Sequence, residues 1–220
     1  SYVKSAARTV TSVKPSAPTN FTRLKSSGKN KLVALACSTG GPKALQSVIP
    51  RLPAELAAPV LIVQHMPKGF TQSLAERLNS LSKIEVKEAV DGETVENGKV
   101  YIAQGGKHMN VVTRGGKAVI SYTDEPPREG VKPCANYMYE SLKNSNYSQV
   151  VCVVLTGMGA DGTKGIVNLE TAKKVHVIAQ DEATSTVYGM PKSIAATGLV
   201  NQVVGLDDVA QEIIMNVGVK

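Results

Sequence analysis

Residues 31–42 read Lys-Leu-Val-Ala-Leu-Ala-Cys-Ser-Thr-Gly-Gly-Pro, and this stretch decides the fold. Lys31–Ala36 is a short, almost continuously apolar run. It is too short for a helix and lacks the polar alternation of a strand wetted on one face, so it reads as a strand buried on both sides. It ends in a Ser-Thr-Gly-Gly turn, and Pro42 then stands at the first position of a predicted helix over 42–49. Strand, tight polar turn and helix in that order form the opening of an α/β sheet.

The pattern repeats outward from there. Apolar runs over 59–64 (PVLIVQ), 149–155 (QVVCVVL) and 174–179 (KVHVIA) predict further buried strands, with weaker strand candidates over 84–87 and 99–103. Segments 110–113 and 117–122 flank Arg114-Gly115-Gly116 and predict a hairpin. Helices are expected over 70–81, with Leu74, Leu78 and Leu81 on one face and Glu76 and Arg77 outward, and over 135–142, 163–172 and 206–215, with a short one opening at Met190-Pro191. Strands alternating with helices imply a doubly wound, mostly parallel α/β sheet covered on both faces and carrying a small antiparallel hairpin.

Charge and composition narrow the function. The 220 residues carry a formal net charge of +7. Seven positive side chains (Lys4, Arg8, Lys14, Arg23, Lys25, Lys29 and Lys31) lie in the first 31 residues, which contain no Asp or Glu. Of the 25 basic residues 18 remain beyond them, against 18 acidic ones, so the rest is formally neutral. The basic character belongs to a Ser/Thr/Pro-rich segment and does not mark a nucleic-acid-binding body. No run of about 18 apolar residues occurs, so no membrane insertion is expected. The three cysteines, Cys37, Cys134 and Cys152, are odd in number and lack a CxxC pair, which suggests free thiols in a reducing compartment. The three histidines show no metal-ligand spacing, so neither a metal nor another cofactor is expected.

Three strands end in turns that carry chemistry. Ser38 follows the first, His65 follows the second in Gln64-His65-Met66-Pro67, and Asp161 lies in Thr156-Gly157-Met158-Gly159-Ala160-Asp161-Gly162. The carboxyl ends of parallel strands form the edge where such sheets bind ligands. A hydroxyl, an imidazole and a carboxylate gathered there are the inventory of a Ser-His-Asp triad: the imidazole takes the proton of the hydroxyl, and the carboxylate holds the imidazole in one tautomer. Each residue also has a plainer reading. The Ser-Thr-Gly-Gly turn resembles a phosphate-cradling loop, although it matches neither G-x-G-x-x-G nor the P-loop. His65 alone suits a structural imidazole, and Asp161 alone suits a helix N-cap. Asp181 and Glu182, after another strand, are rival acids, and no G-x-S-x-G elbow is present.

Longer segments resolve these alternatives by resemblance. Residues 37–42 (CSTGGP), 64–70 (QHMPKGF), 155–162 (LTGMGADG) and 187–192 (VYGMPK) resemble, in order and spacing, the signature segments of the chemotaxis methylesterase family, usually called CheB; Tyr101–Ala103 and Lys107–Met109 resemble a further segment. The resemblance covers about residues 32–210. It implies a serine hydrolase that removes methyl groups from glutamyl methyl esters of chemotaxis receptors, with deamidation of receptor glutamines as a companion activity. It implies a nucleophile at Ser38, a base at His65 and an acid at Asp161, and it makes the backbone of Thr39 and Met158 the place to look for oxyanion donors. It also implies a cytoplasmic protein whose full-length form carries an N-terminal receiver domain. On that reading residues 1–30 are a linker from that domain and 31–220 are the catalytic domain.

Two segments depart from the family pattern. Family A-P-G-D-x-H reads Ala103-Gln104-Gly105-Gly106-Lys107-His108, and family R-P-S-x-D reads Lys132-Pro133-Cys134-Ala135-Asn136. Neither segment contains any of the three candidate residues. Both bear on substrate contacts and on deamidation, and they leave room for a catalytically silent receptor adaptor.

Overall fold

Strand β1 (Lys31–Cys37) is the centre of the molecule, and from Leu32 to Cys37 none of its residues is exposed. The computed structural model describes residues 30–220. The expected linker over residues 1–30 lies, apart from Asn30, outside the described residues. Around β1, six more strands complete a parallel sheet: β2 (Val60–Gln64), β3 (Glu85–Glu88), β4 (Lys99–Ile102), β7 (Gln149–Val154), β8 (Lys174–Gln180) and β9 (Val200–Val204). Their order is β3-β4-β2-β1-β7-β8-β9. Strands β5 (His108–Arg114) and β6 (Lys117–Thr123) pair antiparallel outside this sheet. Gly115 and Gly116 turn between them at φ +56° and +75°, a mirror-image turn that only glycine adopts freely at both positions.

The apolar residues of β1 divide between two cores. Leu32, Ala34 and Ala36 pack with α3 (Ala135–Ser141), α4 (Thr163–Glu170), α5 (Gly189–Ala195) and the hairpin. Val33, Leu35 and Cys37 pack with α1 (Gly41–Val48), α2 (Phe70–Leu81) and α6 (Val209–Val217). The sheet is thus covered on both faces, as expected for unbroken apolar strands.

Three elements differ from the sequence-based expectation. Strand β9 was not predicted. It lies at the sheet edge, and its residues alternate between half-buried and exposed, so no apolar run announces it. The last helix starts three residues later than expected, because Leu206–Asp208 form a separate 3₁₀ turn before α6. The β5–β6 hairpin extends beyond both expected segments, from His108 to Thr123.

From β1 the chain moves to β2 on one side of the sheet, and β7 later occupies the other side. The carboxyl ends of β1 and β7 therefore flank the point where strand order reverses, which is the usual ligand crevice of an open α/β sheet.

Candidate active site

All three candidate residues come to this crevice. Ser38 directly follows β1, and its N–H donates to Thr156 O just beyond β7 at 2.9 Å. The turn is tight because Gly157 has no side chain. A Cβ there would lie 2.9 Å from Ser38 Cβ and would also collide with Met190 Sδ. On the other side, β2 runs in register with β1, pairing Cys37 with Gln64, and the His65 N–H donates to Cys37 O at 3.2 Å. Ser38 and His65 are therefore the next residues along two adjacent parallel strands.

Asp161, in the turn between β7 and α4, meets His65. His65 Nε2 lies 2.6 Å from Asp161 Oδ2, with the two side chains 11% and 3% exposed. An ionised carboxylate only accepts, so Nε2 carries the proton, and in the neutral ring Nδ1 is the nitrogen with the free lone pair. Among the described residues neither Nδ1 nor Ser38 Oγ has a hydrogen-bond partner, so the serine–imidazole bond of a triad is not formed in this structure. Such bonds commonly tighten only when substrate binds.

The carboxylate is held on all sides. Oδ2 also accepts the Ala135 N–H at 2.7 Å, and Oδ1 accepts the Asn136 N–H at 3.0 Å and the Cys134 thiol at 3.1 Å. Asp161 does cap a helix, but not the one expected. The N-cap of α4 is Gly162, which offers no side chain, whereas Asp161 caps the start of α3, 25 residues earlier in the chain. Burial pushes the Asp161 pKa up, and the bonds from His65, the Ala135 N–H and Cys134 outweigh it, so the net shift is downward. Burial and the neighbouring Asp161 charge push the Cys134 thiol up to about 12, which keeps it a neutral donor.

The sign of the Asp161 shift sets a prediction. A carboxyl with a lowered folded-state pKa stabilises the fold fully above its unfolded pKa of ~3.9, and that contribution disappears as pH falls through the folded value. Melting temperature is expected to drop on acidification below about pH 4, and His65→Gln, which removes the largest of the opposing bonds, should flatten that drop. An unchanged acid dependence in His65→Gln would contradict the linkage.

The remaining candidates separate clearly. The N–H groups of Thr39 and Met158 have no acceptor among the described residues, and both residues are exposed at the crevice. Asp181 is occupied elsewhere: Oδ1 accepts the Thr184 N–H and hydroxyl in a turn after β8. Glu182 is exposed and makes no bond to His65. His108 is fully buried and structural, with Nδ1 accepting the Cys134 N–H at 3.2 Å and Nε2 lying 3.1 Å from Pro126 O. Gly106, where the family segment has an acid, sits at φ +83° with only Lys68 Cβ near its missing side chain, at 3.8 Å.

Residue-by-residue reading missed Gln64. It is buried, its Nε2 donates to Ser38 O at 3.0 Å and His65 O at 3.1 Å, and its Oε1 accepts the Cys37 thiol at 3.0 Å. It fastens the two strand ends that carry Ser38 and His65. The available signal was a lone polar residue ending an otherwise apolar strand.

The family model described as CheB methylesterase matches residues 33–213. The chain belongs to the CheB methylesterase family. A Bacillus subtilis protein named protein-glutamate methylesterase/protein-glutamine glutaminase is 48% identical over 185 residues, covering 83% of this chain and 51% of that protein. A Pyrococcus abyssi protein of the same name is 45% identical over 202 residues, covering 92% and 52%. The chain thus spans about half the length of the curated relatives it matches. The crystal structure of the Thermotoga maritima CheB methylesterase catalytic domain superimposes with a TM-score of 0.82 at 40% identity, covering 86% of this chain and 99% of that one. Among the described residues no helix is long and apolar enough to cross a membrane, and no group of three His, Cys, Asp or Glu side chains is placed to hold a metal ion.

Proposed function

We propose that this chain is a protein-glutamate methylesterase in which Ser38, His65 and Asp161 act as one catalytic unit on chemotaxis receptors. The observation that carries the proposal is the buried 2.6 Å His65–Asp161 contact, with Nδ1 left free, beside the β1 turn that bears Ser38. His65 Nδ1 takes the hydroxyl proton as Ser38 Oγ bonds to the ester carbonyl carbon. The resulting oxyanion is received by the free N–H groups of Thr39 and Met158, each such donor being worth roughly 3–4 kcal/mol in other hydrolases. The intermediate collapses by breaking the bond to the methoxy oxygen, which takes the proton from His65 and leaves as methanol. Water then attacks the acyl-Ser38 carbonyl and gives a proton to Nδ1, and the glutamate carboxylate is released as Ser38 recovers its proton. The same attack on a side-chain amide would release ammonia and convert glutamine to glutamate, which accords with the double name of the relatives. This chemistry uses no cofactor. The receptor substrate, a cytoplasmic location and a receiver domain in the full-length protein belong to the same proposal.

Methanol release from methylated receptor membranes tests it. The parent chain should release methanol and the Ser38→Ala chain should not. If the Ser-Thr-Gly-Gly turn only cradles an anion, neither chain turns over, and Ser38→Ala weakens phosphate binding while His65→Ala does not. Receptor binding without methanol release would mark a silent adaptor.

A further inference from the structure

The starts of α3 and α4 are joined by two side chains that cross. Asp161, next to α4, accepts the N–H groups of Ala135 and Asn136 at the start of α3. Asn136 reaches back the other way: its Oδ1 accepts the Gly162 N–H at 3.0 Å and the Gly165 N–H at 2.7 Å. Asn136 thus holds Asp161 twice, through its own N–H on the carboxylate and through its side-chain oxygen on the next residue along the chain. It also serves the N-terminus of α4, whose own N-cap, Gly162, has no side chain to do so.

The packing leaves the loop little freedom. A Cβ on Gly165 would lie 2.7 Å from Asn136 Cα and 2.8 Å from its carbonyl oxygen, and one on Gly162 would lie 3.2 Å from the Tyr139 ring. Asn136 is fully buried, and its Nδ2 has no acceptor among the described residues. Only the acceptor half of the amide is used, so the oxygen is what the position requires.

We propose that Asn136 is a positioning residue for the hydrolysis: its side-chain oxygen fixes Gly162, and with it the direction from which the Asp161 carboxylate meets His65 Nε2. The inference rests on the reading of Ser38, His65 and Asp161 as one unit. A contact as short as 2.6 Å is sensitive to displacement, and a misplacement of about 1 Å in an active site costs on the order of 10²-fold in rate.

The test compares the parent chain with Asn136→Ala and Asn136→Asp. Each is assayed for kcat and KM by methanol release, and the free protein is examined by proton NMR for the downfield His65 Nε2–H resonance, assigned with His65→Gln. Asn136→Ala is expected to lower kcat roughly 10- to 100-fold, to leave KM nearly unchanged and to move or abolish the resonance. Asn136→Asp keeps an acceptor oxygen on Gly162 and Gly165 and should restore the resonance and most of kcat. A folded Asn136→Ala chain with parent-like kcat, or one with reduced kcat and an unmoved resonance, overturns the proposal. If Asn136→Ala does not fold, Asn136→Asp decides alone: a parent-like resonance and turnover uphold it, and loss of the resonance in a folded chain overturns it. Turnover by Ser38→Ala would instead defeat the catalytic reading, while the resonance would still report whether Asn136 orients Asp161.

Discussion

Ser38→Ala is expected to abolish methanol release almost entirely, and adding His65→Ala to it should make almost no further difference. Removing the hydroxyl takes away the atom that becomes acylated. Removing the imidazole leaves that hydroxyl with its proton, because Nδ1 is the acceptor that the His65–Asp161 contact leaves open. Each change disables the same step, so the losses do not add. In another triad hydrolase the nucleophile or the base alone costs about 10⁶-fold in kcat, nearly as much as the whole triad. The residual rate should be that of a site that still binds the ester and still offers the Thr39 and Met158 N–H groups, roughly 10³–10⁴-fold above water. Single-turnover rates for the two single variants and the double variant check this. Losses that multiply would show Ser38 and His65 acting in separate steps. Neither side chain is needed for the strand pairing: Ser38 Oγ has no partner among the described residues, and His65 follows β2, whose backbone pairing is independent of its ring, although His65→Ala also loses the bond to Asp161. Melting temperatures at neutral pH should therefore move far less than the rates.

The parts of the molecule that were legible in the sequence are those where burial leaves no choice. Strands β1, β2 and β7 lie at the centre of the sheet with both faces covered, so nearly every position must be apolar and the run itself announces the strand. The gathering of Ser38, His65 and the Asp161 turn at one sheet edge was legible for the complementary reason. A polar residue just past such a strand falls on the carboxyl edge of the sheet, where the chain turns and ligands bind. Strand β9 was hidden because an edge strand with one wet side needs no apolar run. Gln64, Cys134 and Asn136 were hidden for a different reason. Their roles rest on contacts to residues 26 to 29 positions away, and local pattern carries no trace of the partner. Cys134 entered the reading as a free thiol and as part of a departing family segment, and Asn136 only as a departure in that segment. In the structure they are two of the groups that surround the acid.

Asp161→Asn is expected to reduce turnover by orders of magnitude and to destabilise the fold as well, two effects that pH separates. The carboxylate accepts four hydrogen bonds, two on each oxygen. An amide has one oxygen to offer and must turn its NH₂ toward one of the two donor pairs. With NH₂ toward His65, the ring has to accept at Nε2 and carry its proton on Nδ1, the wrong tautomer for a base facing Ser38. A comparable change in a serine protease costs about 10⁴-fold. With the oxygen toward His65, the NH₂ faces the Asn136 N–H and the Cys134 thiol, and a buried donor left without an acceptor costs about 1–3 kcal/mol. Either orientation also weakens the anchoring of α3, so asparagine is not expected to cap as well as aspartate at this position. The acid dependence then identifies the source of the lost stability. Ionised Asp161 stabilises the parent only above its lowered folded-state pKa, and asparagine has nothing to titrate. The gap in melting temperature between parent and variant should therefore be widest near neutrality and should close as pH falls below about 4. A gap that stays constant with pH would mean that the ionised carboxylate is not what the fold uses. Near-parental turnover by folded Asp161→Asn would reduce Asp161 to the anchor of α3 and leave His65 without a catalytic acid partner, since Asp181 is already committed to Thr184.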